Sequence, residues 1–457
     1  MEKSQSHIVI FPLPLQGHIK PLLCLAELLC DAGLHVTFVN TRHNHNRLAD
    51  LPALSAHFPT LHFESILDGL PDDHPRTLSS ELLIALKTSI KPHFKELLQP
   101  SLKPNGCALP PPTCIITYGL ATFAFDVAEE LGLPILSYNV ACAPYLWTCL
   151  CLPNLIEQGQ LPFPDDNMDV EITGVPGMEG LLQRVDLPGF CRTQKRDLAL
   201  ILDTINELDA PCLSHMANMF PKIYTLGPLH SLLHSQIGDV SRSLASHGGL
   251  WKVDPNCMIW LDSQPTKSVL YVSFGTLVTL TRTQIIEFWY GLVNSGHPFL
   301  WVVQSEITLG LDGDQIPMEL EIGTKEKGYI VNWVSQEEVL SHKSMGGFLT
   351  HSGWNSTLES IVAGIPMICW PNLWDHYIIS RTFSEKWKVD FRLKENCDRK
   401  DIETMIRMLM EFKRGEIQSS MDAISKVARD SVAKGGSSNH NLEMLIQDIR
   451  YMHARPE

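Results

Sequence analysis

Two stretches of this sequence place small polar residues where a strand would run into a helix. They are residues 273–276, SFGT, and residues 350–357, THSGWNST. Free backbone N–H groups, the positive end of a helix and hydroxyl side chains together suit a phosphate or diphosphate. From the residues alone, helix capping explains these residues as well as phosphate binding does, because Ser356 followed by Glu359 fits a capping box.

His18 is the candidate for moving a proton. It follows Gln16 and Gly17 at the turn between the first predicted strand and the first predicted helix. Ligands of parallel α/β sheets gather at the carboxyl ends of strands, where this turn lies. The positive end of a helix lowers the pKa of a nearby histidine, so the ring would be neutral and able to accept a proton. A surface or helix-capping role also fits, since the sequence contains nineteen histidines.

The elements that must position these residues alternate between strands and helices. This alternation predicts right-handed βαβ units and parallel sheets with helices on both faces, hence two α/β domains. A stretch rich in His, Ser and Gly, residues 230–249, is predicted to be an interdomain linker, and residues 306–327 a polar loop. The predicted strands cover residues 7–13, 34–40, 61–66, 113–117, 134–138, 268–274, 298–303, 329–333, 346–350 and 365–370.

Length and composition restrict the function. A chain of 457 residues with 44% hydrophobic residues can form two or three domains. A net charge of −15 argues against sequence-independent nucleic-acid binding and against an anionic membrane surface. The longest apolar stretch, residues 140–156, contains prolines and is too short to span a bilayer. Twelve cysteines without a CxxC pair favour reduced thiols in a cytoplasmic protein over a disulfide scaffold.

The segment from Trp333 to His376 reads WVSQEEVLSHKSMGGFLTHSGWNSTLESIVAGIPMICWPNLWDH. It closely resembles the signature box of plant family-1 UDP-glycosyltransferases, and its length, 376 − 333 + 1 = 44 residues, is that of the box. The resemblance extends over the whole chain and is greatest to the branch that glucosylates terpenoid, iridoid and phenolic aglycones. It implies a GT-B fold, in which two Rossmann-like doubly wound α/β domains face each other across a cleft. The expected boundaries are 1–240 for the acceptor domain, 250–435 for the UDP-sugar domain, and 436–457 for a C-terminal helix that returns to the first domain.

The resemblance also implies roles for individual residues. Trp333 would stack on uracil, as an aromatic face suits a planar base, and Gln336 would lie near the ribose. Glu359 would accept hydrogen bonds from ribose hydroxyls, and Asp375 and His376 would face the sugar. The other donor-binding candidates, several of them at the diphosphate, are Gly17, Thr276, Val334, His351, Gly353, Trp354, Asn355 and Ser356. His18 would be the catalytic base, and the acceptor pocket would include Phe123, Tyr145 and Trp147.

Two positions depart from the family pattern. The family pairs its histidine with an aspartate, whereas the matching position here is Tyr118, which carries no charge at neutral pH. Asp126 lies about 12 Å further along the following helix and is an unlikely substitute. The last position of the box is usually glutamine, and here it is His376, which leaves glucose ahead of galactose, arabinose or xylose as the sugar.

The resemblance implies a cytoplasmic inverting hexosyltransferase. It would move a sugar from a UDP-sugar to a hydroxyl or carboxyl of a small lipophilic terpenoid, iridoid or phenolic acceptor, giving a β-glycoside. The alternative is a UDP-sugar- or terpenoid-binding protein with weak or lost catalysis, because Tyr118 replaces the aspartate. The UDP-sugar is a co-substrate, so no cofactor is expected. An Asp312-Gly313-Asp314 motif is better explained as a solvated turn than as a metal site, and no metal is expected.

Overall fold

The computed structural model describes residues 6–48, 51–74, 76, 79–101, 109–163, 167–187, 199–238, 249–303, 318–394 and 396–453. The strands within these ranges are β1 (His7–Phe11), β2 (His35–Thr41), β3 (Leu61–Ile66), β4 (Cys114–Tyr118), β5 (Ile135–Asn139), β6 (Leu200–Leu202), β7 (Ile223–Thr225), β8 (Val269–Ser273), β9 (Phe299–Val302), β10 (Gly328–Val331), β11 (Met345–Thr350), β12 (Met367–Cys369) and β13 (Asp390–Arg392).

The helices alternate with these strands as the sequence predicts. They are α1 (Gln16–Asp31), α2 (Arg42–His45), α3 (Leu51–His57), α4 (Ser80–Ala85), α5 (Lys91–Ser101), α6 (Thr122–Leu131), α7 (Ala143–Glu157), α8 (Asn206–Met216), α9 (Leu229–Ile237), α10 (Cys257–Asp262), α11 (Arg282–Ser295), α12 (Met318–Lys327), α13 (Gln336–Leu340), α14 (Trp354–Ala363), α15 (His376–Arg381), α16 (Arg399–Arg407), α17 (Arg414–Val432) and α18 (Ser437–His453). A 3₁₀ turn covers Arg184–Asp186, and π-helical turns cover Leu86–Ile90, Thr382–Trp387 and Met408–Phe412.

The chain forms two compact units, each with one parallel sheet. The first unit comprises Met1–Ala141, Thr193–Trp251 and Asp430–Glu457, and its sheet has the order β3-β2-β1-β4-β5-β6-β7. The second comprises Cys142–Arg192 and Lys252–Arg429, and its sheet has the order β10-β9-β8-β11-β12-β13. These are two doubly wound α/β units, so the predicted fold class is confirmed. In each sheet the strand order reverses once, between β1 and β4 and between β8 and β11, and such switch points are where ligands bind in this kind of sheet.

The buried faces follow from the sequence pattern. Every residue of β1 and of β8 is buried, as expected for apolar strands of a parallel sheet covered on both faces. In the first unit, residues of α1, α9 and α18 complete one hydrophobic core around this sheet. In the second unit, residues of β8, α11, α16 and their neighbours form a separate core.

Three expectations about the chain's organisation need correction. The predicted linker at residues 230–249 begins as helix α9, whose residues Leu229, Leu232 and Leu233 are buried in the first core; residues 239–248 lie outside the described residues. The predicted polar loop at 306–327 ends in α12, and its earlier part, including the Asp312-Gly313-Asp314 motif, also lies outside them. Residues 142–192, assigned to the first domain from sequence, group with the second unit.

The last helix, α18, packs on the first unit. Leu445 is 0% exposed in the first core, whereas the neighbouring Met444 is 37% exposed. Ser438 Oγ donates a hydrogen bond to the Gly227 carbonyl oxygen at 2.5 Å, and Lys222 pairs with Asp448 at 2.5 Å. These contacts hold α18 beside β7.

We therefore expect Leu445→Ala to lower the free energy of unfolding by about 2–5 kcal/mol, because it removes buried methyl groups and leaves a cavity. Met444→Ala is the matched control and should change it by less than about 0.5 kcal/mol. Urea unfolding followed by circular dichroism measures both. Equal effects of the two substitutions would show that α18 is not part of this core.

Candidate active site

The switch point of the second sheet brings together the two polar turns singled out in the sequence. β8 and β11 are adjacent and parallel, with Ser273 paired to Thr350 at their carboxyl ends. The chain leaves β8 through Gly275 and Thr276, and leaves β11 through His351. Both turns therefore lie side by side at the same edge of one sheet, where a diphosphate was expected.

The imidazole of His351 lies between two glycines. A Cβ atom on Gly275 would lie 2.5 Å from His351 Nε2, and one on Gly353 would lie 2.4 Å from the same atom. No side chain larger than glycine fits at either position without displacing the ring. Burial lowers the pKa of His351 to about 4, so the ring is neutral at pH 7. Its Nδ1 atom is shielded from solvent and has no hydrogen-bond partner among the described residues.

The start of α14 has free polar groups rather than a side-chain cap. Gly353 occupies the N-cap position and makes no side-chain hydrogen bond, so the capping-box interpretation of Ser356 and Glu359 is wrong. Ser352 has φ +68°, and its buried Oγ atom has no hydrogen-bond partner in the described part of the chain. Buried polar atoms without partners are uncommon in proteins and need an explanation. Here they surround a helix N-terminus, which attracts anions.

Gln336 joins two other predicted donor-binding residues, Ser356 and Glu359. Its Nε2 donates to Ser356 Oγ at 2.8 Å and to Glu359 Oε2 at 2.6 Å. Its Oε1 accepts from the Tyr271 hydroxyl at 3.1 Å. Glu359 is 7% exposed, so this network fixes a carboxylate at the edge of the site. A fixed carboxylate next to the diphosphate position is the arrangement that binds ribose hydroxyls in dinucleotide folds.

Three further residues predicted to bind the UDP-sugar differ in how far they are exposed to solvent. Trp333 is partly exposed, and its carbonyl oxygen accepts a hydrogen bond from the Asp254 N–H at 2.9 Å. Val334 and Trp354 are only 3% and 4% exposed. Little of either side chain is available to a ligand, so any contact they make is through the backbone. Asn355 follows Trp354 in the first turn of α14.

Asp375 and His376 begin helix α15 beside His351. The rings of His351 and His376 meet edge to face, with centroids 4.8 Å apart. The Leu373 N–H donates to His376 Nδ1 at 3.1 Å, which places the proton of the neutral ring on Nε2. Burial, followed by the nearby His351, lowers the pKa of His376 well below its usual value. Burial raises the pKa of Asp375 to about 7.

The switch point of the first sheet carries His18 and Tyr118. β1 and β4 are adjacent, with Phe11 paired to Thr117, so the turns that follow them meet. The rings of His18 and Tyr118 contact edge to face, with centroids 4.4 Å apart. Gly17 precedes His18 in the first turn of α1. The sequence therefore placed the tyrosine correctly beside the histidine.

Burial lowers the pKa of His18 to about 3. The direction agrees with the prediction, and burial is its cause. His18 Nδ1 is shielded and has no hydrogen-bond partner within the described ranges, and the His18 ring contacts the Tyr118 ring edge to face. Asp126 pairs with Lys91 at 3.2 Å, which agrees with the expectation that it does not replace the missing aspartate.

The predicted acceptor residues are divided between the two units. Phe123 is 1% exposed and packs against Phe11 and Phe94, with ring centroids 5.2 and 5.8 Å away. It is a core residue of the first unit, which corrects the expectation that it lines a pocket. Tyr145 and Trp147 lie on α7 in the second unit. Tyr145 is partly exposed, whereas Trp147 is buried and its Nε1 donates to the Pro176 carbonyl oxygen at 2.8 Å.

Comparison with known proteins identifies the family. A family model described as "UDP-glucoronosyl and UDP-glucosyl transferase" matches residues 213–430. The 7-deoxyloganetic acid glucosyltransferase of Catharanthus roseus is 45% identical over 97% of this chain and 97% of its own length. Mogroside I-A1 synthase of Siraitia grosvenorii is 44% identical over 94% of this chain and 86% of its own. The chain belongs to the plant family-1 UDP-glycosyltransferases.

Solved structures agree with this assignment. Os79 from O. sativa, solved in complex with UDP, has a TM-score of 0.79 and 25% identity, and the match covers 97% of this chain and 100% of that one. UGT71G1 from Medicago truncatula, solved with UDP-glucose, has a TM-score of 0.80 at 24% identity, over 98% and 99% of the two chains. These matches confirm the predicted GT-B fold. The relatives named here are a glucosyltransferase and a synthase, so they favour the enzyme over the binding-protein alternative.

This UDP-glycosyltransferase has a buried charge cluster that the sequence analysis missed. The side chain of Asp186 is 0% exposed and accepts from Arg381 Nε at 3.0 Å and from Arg392 Nη1 at 3.2 Å. Arg381 also donates to Gln183 Oε1 at 2.5 Å. Arg381 ends α15, the helix that begins at His376, so the cluster fixes the helix that carries the predicted sugar-facing residues. Asp186 and Arg381 are 195 residues apart in the sequence, so no motif or spacing indicates that they form a pair.

Within the part of the UDP-glycosyltransferase that the structure describes, no group of three or more His, Cys, Asp or Glu side chains is placed to hold a metal ion. Among the helices in those same ranges, none combines the length and apolar character that crossing a bilayer requires.

The raised pKa of Asp375 predicts how stability of the UDP-glycosyltransferase depends on pH. Because the folded chain holds this proton more tightly than the unfolded chain, the contribution of Asp375 to stability falls as pH rises from about 4 towards 7. Asp375→Asn removes this titration. We expect the stability of the variant, relative to the parent, to increase by roughly 1–3 kcal/mol between pH 5 and pH 8.

Urea unfolding without UDP-sugar at both pH values measures this difference. Asp31→Asn, which changes an exposed carboxylate at the end of α1, is the control and should show no such increase. A difference between Asp375→Asn and parent that is the same at pH 5 and pH 8 would mean that Asp375 is ionised throughout.

Proposed function

We propose that this UDP-glycosyltransferase moves glucose from UDP-glucose to a hydroxyl or carboxyl of a small terpenoid or iridoid, giving a β-glycoside. The observation that carries the proposal is the cluster at the β8–β11 switch point. There, the glycine-flanked His351, the uncapped start of α14 and the carboxylate of Glu359 lie in succession. Relatives whose names specify 7-deoxyloganetic acid and mogroside I-A1 support the acceptor class.

The donor end of the proposed reaction follows from the chemistry of this cluster. UDP would lie with its base against Trp333, its ribose at Glu359 and its diphosphate at the start of α14. Backbone N–H groups and the helix dipole there would stabilise the negative charge that UDP gains on leaving. No metal is needed for this role, and we include metal independence in the proposal. Asp375 and the Nε2–H of His376 would bind sugar hydroxyls as acceptor and donor.

The transfer step is a single displacement. The acceptor O–H gives its proton to His18, and the acceptor oxygen forms a bond to the anomeric carbon. The bond from that carbon to the β-phosphate oxygen breaks, and its electron pair leaves with UDP. Attack from the face opposite UDP inverts the α-linkage of the donor to a β-glycoside.

The surroundings of His18 determine which acceptors suit this enzyme. An imidazole whose pKa lies near 3, packed against a neutral phenol, gains no charge stabilisation when it takes a proton. In the usual dyad a carboxylate holds the tautomer and stabilises the imidazolium. Acceptors that release a proton readily, phenols and carboxylic acids, should therefore react faster than aliphatic alcohols.

The location belongs to the proposal as well. We propose a cytoplasmic enzyme. The ten cysteines within the described ranges are free thiols, from Cys24 to Cys397, which suits a reducing compartment. Fractionation of plant cells that express a tagged chain would test the location directly.

His18→Ala should lower kcat for transfer to a neutral alcohol by about 10²–10⁴-fold, the range for removal of a general base. UDP binding should persist, because the donor cluster is built within the second unit. Initial rates and isothermal titration with UDP measure the two effects. His57→Ala, at an exposed position of the first unit, is the control. A decrease in kcat of less than about threefold, far below the range for a base, would remove His18 from the mechanism.

Tyr118→Asp should speed transfer to aliphatic alcohols by roughly 10–100-fold, because a carboxylate beside His18 raises its pKa and stabilises the imidazolium. Phenol acceptors should gain less. The measurement is kcat/KM for a matched phenol and alcohol, with Tyr118→Phe as the uncharged control. Slower transfer to both acceptors in Tyr118→Asp would show that the tyrosine ring itself is required.

A further inference from the structure

A cavity of about 540 Å³ opens in the first unit at the carboxyl ends of β2 and β3. It is lined by α2, by the loop after β3 and by the helical segment around residues 88–93. None of its lining residues belongs to the donor cluster or to the His18–Tyr118 pair. Asn44, on α2, donates a hydrogen bond from Nδ2 to the Pro14 carbonyl oxygen at 3.0 Å. The wall of the cavity is therefore fixed to the loop that leads to His18.

The acidic residue inside the cavity is already neutralised. Asp68 is buried and pairs with Arg76 at 3.3 Å, and these side chains are 7% and 5% exposed. Asp68 also accepts the Leu70 N–H at 3.0 Å. The guanidinium of Arg76 donates in addition to the carbonyl oxygens of Leu70, Asp72 and His74. Since both members of this pair are occupied, they shape the loop and leave the charge of the cavity to other residues.

Two further arginines, Arg42 and Arg47, line the cavity. Arg42 is exposed and has no ion-pair partner in the part of the chain that the structure describes. Arg47 donates to His43 Nε2 at 3.3 Å, so the neutral imidazole of His43 carries its proton on Nδ1. The carboxylate of Asp72 lies in the exposed part of the lining. Arg47 also donates to the Leu250 carbonyl oxygen at 3.5 Å and lies over the Trp251 ring. Arg42 is therefore the arginine of this lining that can take up an anionic group.

The other part of the lining is apolar. Leu67, at the cavity, is 43% exposed. Leu70 and Pro92 add to the same wall. An inorganic anion would leave these side chains in water, whereas an organic acid would cover them and place its carboxylate at Arg42.

We propose that this cavity, with Arg42 as its anion-binding residue, holds the carboxylate end of a lipophilic acid acceptor while another oxygen of that acceptor receives the sugar. The inference rests on the proposed function, since it assigns a class of substrate to the same enzyme. It makes Arg42 a specificity residue that distinguishes a free carboxylic acid from its neutral ester.

The test compares 7-deoxyloganetic acid, the compound in the name of the Catharanthus roseus relative, with its methyl ester. In the full-length enzyme, Arg42→Gln should raise KM for the acid by about 5- to 20-fold, the loss expected for one charge-assisted hydrogen bond at a partly exposed site. KM for the ester, and kcat for both, should stay within about twofold, below what one such bond contributes. Arg42→Lys retains the charge and should recover most of the affinity for the acid.

Isothermal titration of both compounds into the UDP-bound protein separates this inference from the proposed function. If the enzyme transfers no sugar to either compound but binds the acid through Arg42, the proposed function fails and the cavity assignment holds. An unchanged ratio of acid to ester affinity in Arg42→Gln would overturn the assignment, as would an equal loss for both compounds.

Discussion

Parallel pairing of neighbouring strands is the constraint on which both candidate sites depend. Two strands that run side by side in the same direction end at the same edge, so the turns that follow them meet. At β1 and β4 this brings His18 against Tyr118. At β8 and β11 it brings Gly275 against His351. In each sheet the strand order reverses at that place, which opens the crevice that a ligand can enter.

The sequence alone could predict what depends on short-range pattern. Strand–helix alternation and the 44-residue box located both turns and the helix that starts at Trp354. It could not predict contacts between distant residues. Asp186 and its arginines, and the packing of Phe123 into an aromatic core, arise only when separate elements meet. The polar composition of residues 230–249 predicted a linker, but these residues begin as helix α9, in which the buried leucines lie among histidines and serines.

Asp186 joins elements of the second unit that lie far apart in the sequence. The segment that bears Tyr145 and Trp147 and the helix that begins at His376 belong to one compact unit. The buried carboxylate of Asp186 joins the 3₁₀ turn at Arg184–Asp186 to Arg381 of α15 and Arg392 of β13. Removing one member of such a cluster leaves an unpaired buried charge, which is far more costly than never having built the cluster. Substitutions around Asp186 would therefore also disturb α15, the helix that begins at the predicted sugar-facing residue His376.

The first unit is discontinuous, and this has a consequence for the order in which the chain folds during synthesis. Its core includes Leu442, Leu445 and Ile449, which leave the ribosome after the whole of the second unit. Domains usually fold in the order in which they are translated. Here the sheet that is made first must wait for the last helix to cover it, so the second unit can complete its core earlier. Throughout that interval an apolar face of the nascent chain is open to chaperones and to neighbouring chains.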